Sequence, residues 1–503
     1  MPAPQPALRP VPHAPGLKHG HAVRASITVV PQVFPLLSID YAQGETDLNF
    51  AFFFGPSLNR RRQRRRLHVV RITDALHRAA QQFPTLLGRV VCDSSAGWRV
   101  VVDPDDINWP VVTEVRTCGP TIAALKRSGF AWDAWPSETR SPDLRTLDSL
   151  PMLGVHIVHY PCGGSSLHTK VRHQVMDGNG VWRFYEIWAS TSAAELRGHQ
   201  LHKSPASMGS FIAGNPLLDR ALLADRFPRV DNSTEGSAGS TDAAREYMDG
   251  LVRLFREAAQ CAPCKRDTPP EPFAVHRFTL SEAAIERLKQ QHGDLTACSP
   301  THKRFVHENN IDYVSTNDLI CSLFWRAIAR AHSVLRPADP HTCIMIACDV
   351  RGRVGAPLTY SGNASYPLIV HATKAELACQ VLTDTATHIR KRVADVTPDL
   401  VALTADFMQS PESMQSLIAM FDPARAFFSA SIVTHIPMFS ICDFGYGRPA
   451  HIDIPDYLTP GFSIWMSARA TDQSMYVNLS LTDSVFALVA SDPEFRQFVD
   501  VAH

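Results

Sequence analysis

The sequence predicts an α/β fold, and three observations carry that expectation. Leu167, Thr169, Val171 and His173 alternate with His168, Lys170 and Arg172, the period of a strand, and just downstream Val181, Phe184, Tyr185 and Trp188 recur at helical spacing. Strand-like and helical segments of this kind follow one another along most of the chain. Finally, 503 residues with 45% hydrophobic content can bury more than one core, and length alone suggests roughly three units of about 150 residues.

Taken in order, residues 1–22 are rich in Pro and Ala and read as a flexible tail, with His19 and His21 too few for a metal site. Strand-like runs follow at Ala25–Phe34 and Asp47–Phe54. The run from Arg60 to Arg66 lacks interleaved aromatic residues and reads as a solvated loop. A helix is expected from Val69, because Ile72, Leu76, Ala80 and Phe83 continue its apolar face. Pro151–His159 reads as a strand, Tyr160–Gly164 as a loop, and Leu167–His173 as the next strand. His173 therefore stands in a strand-turn-helix corner.

Between about Gly198 and Thr268 the apolar pattern is lost, and Asn232–Thr241 is rich in Gly and Ser, which places an inter-domain crossover at 226–268. Cys261 and Cys264 fall within it, and without a second such pair they read as free thiols. The second half opens with a strand at Ala274–Thr279 and a helix from Ser281. Ser315, Thr316 and Asn317 offer N-caps for an amphipathic helix through Ile320, Leu323, Phe324, Ile328 and Ala331. A strand at Thr342–Asp349, a long loop through Pro357 and Gly362, a strand at Ser474–Leu481 and a polar terminal helix complete the chain.

Composition excludes several classes. Formal net charge is zero and the pI is near 7.3, so no global field draws the protein to nucleic acid or anionic membrane. Eleven scattered cysteines and the lack of a charged-then-apolar leader predict a reduced, cytoplasmic protein. The apolar runs Phe52–Phe54 and Cys343–Cys348 fall far short of the ~20 residues a membrane span needs. Asn232-Ser-Thr matches a glycosylation acceptor of little weight without a leader, and Val501-Ala-His503 is not a peroxisomal signal.

Two blocks carry the chemistry. His173-x-x-x-Asp177 is followed by Gly178, and far downstream Asp443-Phe-Gly445-Tyr-Gly447-Arg-Pro449 forms a tight glycine turn around an aromatic residue. Together they resemble the BAHD acyl-CoA-dependent acyltransferases, which carry a central His-x-x-x-Asp and a late Asp-Phe-Gly-Trp-Gly. Phe83–Arg89, Cys162-Gly163-Gly164, Asn317–Ala331, Asp349-Val-Arg351 and Tyr360–Ala364 resemble further family segments in the family's order. Tyr446 in place of tryptophan is closer to the fungal branch, with its trichothecene- and glycolipid-acylating members. Where many members carry a hydroxyl residue and a tryptophan, this chain reads Ser431-Ile-Val-Thr434-His435.

The resemblance implies a two-domain chloramphenicol-acetyltransferase-like fold. Each domain is then a mixed β-sheet flanked by helices, residues 23–225 and 269–503, with the active-site channel between them. It also implies a monomer with no permanently bound cofactor, acyl-CoA as cosubstrate and a small-molecule acceptor, in secondary metabolism. Histidine suits the reaction because its ordinary pKa near ~6.5 lets it take and return a proton at neutral pH. His173 is expected to be the general base. Asp177 invites a triad reading, but the resemblance makes it structural, paired with Arg351 in a buried ion pair, and casts Asp443, Gly445 and Gly447 as support for the site.

Ser431 and Thr434 are hydroxyl candidates for the oxyanion, and a backbone amide would serve equally. The electropositive helix start at Ser315 and Thr316 is a candidate for a coenzyme A phosphate beside its plain capping role. No activated Cys or Ser accompanies His173, so direct transfer is expected. Two alternatives stand: a condensation-type domain taking carrier-bound acyl groups, although Arg172 stands where such domains usually have a second histidine, and a silent relative that only binds acylated ligands.

Overall fold

The computed structural model describes residues 29–36, 40, 46–58, 64–93, 97–139, 151–196, 246, 250, 271–407, 426–454, 461–467 and 473–501. The expected tail, residues 60–63 of the basic run, Asn232, the Cys261 and Cys264 pair, and all of the crossover except residues 246 and 250 lie outside them.

In chain order the strands of the first half are β1 (Gln32–Pro35), β2 (Asp47–Phe54), β3 (Ser57–Leu58), β4 (Arg64–Arg65), β5 (Arg89–Asp93), β6 (Gly97–Val102), β7 (Val111–Arg116), β8 (Leu153–His159) and β9 (Ser165–Arg172). Those of the second half are β10 (Phe273–Leu280), β11 (His341–Asp349), β12 (Ser365–Thr373), β13 (Ala426–Ile432), β14 (His451–Asp453), β15 (Phe462–Ser467), β16 (Met475–Thr482) and β17 (Asp500–Val501). Two mixed sheets organise twelve of them: five strands in the order β14-β2-β9-β8-β7, and seven in the order β12-β11-β13-β15-β16-β10-β17; β1, β6 and β5 form a separate three-stranded sheet and β3 pairs with β4.

The alternation in β9 decides how the first sheet is covered. Leu167, Thr169 and Val171 face the same side as Phe50, Phe52 and Phe54 of β2, and onto that side pack the helices Val69–Ala80 and Gly178–Leu196. Trp188 locks the two helices together by donating from Nε1 to the Ile72 carbonyl at 3.0 Å. Full burial of side chains such as Phe184 and Trp188 stabilises by roughly 1.5–3 kcal/mol each. The first helix ends at Ala80, short of the expected Phe83, because Phe83 precedes Pro84 and adopts an extended φ of −128°.

In the second half the helix Thr316–Leu335 lies on the seven-stranded sheet, with Phe324 packed among Phe278, Phe428, Trp465 and Phe495. The expected polar terminal helix is corrected. The helix Asp483–Ser491 is apolar, buries Val485 and Val489 in this core, and is followed by a short turn and β17, which pairs with β10. The polar side chains of Asp492, Glu494, Arg496 and Gln497 lie beyond its end.

The chain returns once to the first sheet, where β14 hydrogen-bonds antiparallel to β2. Asp453 then gathers donors from both halves. Trp132 Nε1 donates at 3.0 Å, Asn478 Nδ2 at 2.8 Å and His451 Nε2 lies at 3.1 Å, with Arg277 forming a close ion pair. Burial alone would raise the Asp453 pKa, but Arg277 and His451 outweigh it and hold the carboxyl well below its ordinary range.

Candidate active site

His173 follows β9 directly. Its amide donates to the Thr46 carbonyl at 3.0 Å, and its own carbonyl accepts from Asn363 Nδ2 at 2.8 Å. Ring Nδ1 faces Asn363 Oδ1 at 3.3 Å, and Nε2 has no hydrogen bond among the described residues. Burial pulls the imidazole pKa below its usual value, partly offset by hydrogen bonds to its own backbone and to Asn363 and by the Asp177 and Asp40 charges. The ring is therefore neutral at pH 7, the form a base requires.

Four residues on, Asp177 caps the helix Gly178–Leu196 by accepting from the Gly180 amide at 3.0 Å. The same Oδ1 accepts from Arg351 Nη2 at 2.8 Å, while Oδ2 accepts from the Ala364 amide at 2.9 Å. Asp177 is 3% and Arg351 1% exposed, so this is a buried pair joining the two halves. Arg351 also donates to the carbonyls of Tyr360 and Gly362, each at 2.8 Å, and to Asp349 at 3.1 Å. Burial opposes its charge, but the carboxylates of Asp177 and Asp349 more than compensate and its pKa is raised. The Asp177 carboxylate is directed at Arg351 and two amides, which is a scaffold's geometry, whereas the ring nitrogen of His173 is met by Asn363.

The loop carrying Asn363 reaches the corner because Gly180 has no side chain: a Cβ there would lie 2.0 Å from the Ser361 carbonyl oxygen. Asn179 bridges the other side, donating to Asp349 at 2.9 Å and facing His435 Nε2 at 3.4 Å. Ser431 is the penultimate residue of β13 and Thr434 sits in the turn after it. That turn is brought beside the corner, since the Val433 side chain lies 3.9 Å from where a Cβ on Gly178 would be.

Ser315 caps the helix Thr316–Leu335 in a reciprocal box with Asp318, and Arg390 donates to Ser315 Oγ at 2.9 Å. Thr316 opens that helix. Asp443 Oδ1 accepts from the Gly445 amide at 2.8 Å and the Gly447 amide at 3.0 Å, and both glycines have positive φ, +90° and +97°. Phe444 is buried against Trp188, and its carbonyl accepts from Ser192 Oγ at 2.9 Å, so the glycine block braces the far end of the helix that Asp177 caps. Tyr446 accepts from the His68 amide at 3.0 Å.

Sequence reasoning singled out the Tyr360–Ala364 segment but not the role of Asn363, and it missed Asp40, Asn179 and Gly180. The available signal was an asparagine and a serine flanking Gly362 in a loop, and a second glycine at the third position of the helix. Among the described residues no group of three or more His, Cys, Asp or Glu side chains is placed to hold a metal ion, and no helix is long and apolar enough to cross a membrane.

Two sheet-plus-helix halves with a histidine at the corner where they meet define a two-domain chloramphenicol-acetyltransferase-like architecture. Residues 141–496 match the transferase family, and the chain belongs to it, the BAHD acyltransferases. It is 25% identical over 349 residues to anthranilate N-benzoyltransferase protein 1 of Dianthus caryophyllus, covering 67% of this chain and 66% of that one. With the O-acyltransferase pigD of Monascus ruber it shares 22% over 342 residues, 67% of each chain. The chain thus spans about two thirds of the length of these relatives. Among solved structures, F. sporotrichioides TRI101 complexed with coenzyme A and T-2 superposes with a TM-score of 0.67 at 17% identity, covering 93% of this chain and all of the other.

Proposed function

We propose that this protein moves an acyl group from acyl-CoA to a hydroxyl, or alternatively an amine, of a small-molecule acceptor in secondary metabolism, by direct transfer with His173 as general base. The observation that carries the reading is the His173 ring, neutral, held at Nδ1 by Asn363 and unengaged at Nε2 among the described residues. Nε2 takes the acceptor proton as its oxygen attacks the thioester carbonyl. A tetrahedral oxyanion forms, the carbon–sulfur bond breaks, and the departing thiolate recovers the proton from the ring. Base catalysis of this kind gives roughly 10²–10⁴-fold, and alignment of the two substrates supplies much of the rest.

Ser431 and Thr434, on the strand end and turn beside the corner, are the hydroxyls for the oxyanion, with a backbone amide as the alternative donor. Ser315 and Thr316 would meet a coenzyme A phosphate at the helix start, where Arg390 adds positive charge beside the carboxylate of Asp318. Asp177, Arg351, Asp443, Gly445 and Gly447 support the corner without touching the reacting atoms. The two curated relatives are named for N- and O-acylation, so a hydroxyl acceptor is the part of the reading the assay must decide.

The experiment is a panel of acyl-CoA donors and alcohol or amine acceptors scored by thiol release, with the acylated product identified by mass. Transfer onto alcohols with sequential initial-rate kinetics supports the proposal. Ping-pong kinetics would contradict direct transfer, and release only from carrier-bound acyl groups would reassign the donor.

A further inference from the structure

We propose that residues 129–139 are an acid-released strap: they tie the two halves together across the far face of the first sheet while His168 and His156 beneath them are neutral, and let go when those rings take up protons. The strap lies on the face turned away from the two helices, where Phe53, Val158, Tyr160, Ile122, Leu125 and Phe130 form a core of their own. The second half grips its start. Arg277 Nη1, on β10, donates to the carbonyls of Gly129 at 3.0 Å and Phe130 at 3.5 Å, Trp132 Nε1 donates to Asp453 at 3.0 Å, and the Phe130 ring stacks on His451 at 4.2 Å. The first half holds its end: Trp135 packs edge-on against Phe53 at 4.7 Å and reaches His168 at 6.0 Å, and the Glu138 carbonyl accepts from His156 Nε2 at 2.6 Å. None of this depends on the role of His173.

Two features leave the strap poised to open. Gly129 and Phe130 both occupy the left-handed region, φ +64° and +56°, a conformation that a bulky residue keeps only where its surroundings impose it. Phe130 is held there by the hydrogen bond from its amide to the Leu125 carbonyl at 2.7 Å and by the grip of Arg277 and His451. The histidine pair is the second feature. His156 and His168 stand opposite each other on β8 and β9 with ring centroids 6.3 Å apart. His156 is engaged at both nitrogens, Nδ1 meeting Thr113 Oγ1 at 2.7 Å. His168 is 2% exposed; its Nε2 meets Ser166 Oγ at 2.8 Å, and its Nδ1 is buried with no hydrogen-bond partner among the described residues.

A proton arriving at His168 would place a charge in this interior beside a second histidine. Around the ring stand His156 on β8, Phe53 on β2, Ser166 on its own strand and Trp135 on the strap, with Lys170 next along the same face of β9 and the Glu138 carboxylate acting on Tyr160. Burial and the neighbouring His156 hold His168 down at about 3, and burial outweighs the Glu138 hydrogen bond to pull His156 below its ordinary value. Under the closed strap the rings refuse protons, whereas released rings bind them with the ordinary pKa of ~6.5. The closed form therefore keeps its full advantage above that pH and loses it as the pH falls. His168 alone multiplies the opening constant about 30-fold at pH 5, and His156 adds to it.

Hydrogen–deuterium exchange of the full chain at pH 7 and pH 5, each rate divided by the intrinsic rate at that pH, reads the opening. At pH 5 the strap should be less protected than the helix Thr316–Leu335, and its protection should fall about 20-fold or more between the two pH values. His168→Gln removes the titrating ring and should shrink that fall about 20-fold. Trp132→Phe, which drops the tie to Asp453 and leaves both histidines in place, should speed strap exchange at pH 7 and keep the ratio between the two pH values. Strap protection equal to that of the helix at pH 5 would mean that it opens only with the whole fold, and overturns the proposal. So does a parent strap whose protection is the same at both pH values, or a fall left intact in His168→Gln. If His168→Gln does not fold, the parent and Trp132→Phe still decide whether the strap opens by itself and with acid.

Discussion

Replacing Asp177 with alanine separates a scaffold from a catalyst. In the parent, the carboxylate accepts from Arg351 at 2.8 Å, Gly180 at 3.0 Å and Ala364 at 2.9 Å. Alanine removes all three and leaves a guanidinium 1% exposed with one carboxylate, Asp349, still beside it. Stranding a buried partner in this way costs about 3–5 kcal/mol. At about 2 °C per kcal/mol for a unit of a few hundred residues, the thermal midpoint should fall by roughly 6–10 °C. Differential scanning fluorimetry measures it, with turnover taken on the same preparation. The double variant Asp177→Ala with Arg351→Met, which removes both charges, should recover part of the loss, giving a positive coupling in a double-mutant cycle. A variant that melts with the parent yet has lost turnover would refute the scaffold reasoning and give Asp177 a direct part in the chemistry.

Further expectations follow from the same geometry. Gly445→Ala should destabilise more than Gly447→Ala in denaturant titrations: both have positive φ, but only at Gly445 would a Cβ meet the helix, 2.8 Å from Leu196 and 3.0 Å from the Ala193 backbone. Asp453→Ala should cost about 3–5 kcal/mol in the same assay, because it strands Arg277 where β14 meets both halves. Stability should fall on acidification below about pH 6.5. Burial holds His168 down at about 3 and His332 and His388 at about 4, so they are neutral in both states above that pH. Below it the unfolded chain binds protons these rings refuse until the folded values are passed, each group contributing up to about 1.4 kcal/mol per pH unit. His168→Gln should flatten that slope in urea titrations between pH 4 and 6.5; an unchanged slope would remove His168 from the account.

How much of this was legible in the sequence depended on range. β2 occupies Asp47–Phe54 as its pattern predicts, and Ser281 and Ser315 cap their helices, because alternation and capping are local. The three-residue β14 is too short to show a period and is defined only by its partner β2. The contact between Asp177 and Arg351 spans 174 positions, and no periodicity encodes it; the family resemblance pointed to it. That between His173 and Asn363 spans 190. Gly180 reads as a helix residue of poor propensity until the Ser361 carbonyl is seen against it.

The central claim is that the His173 imidazole takes the acceptor's proton. Its most direct test is the rate of thiol release by His173→Ala, measured with the acyl-CoA and acceptor pair on which the parent is fastest. The account predicts a loss of roughly 10²–10⁴-fold with the melting midpoint retained. Turnover equal to that of the parent would contradict it.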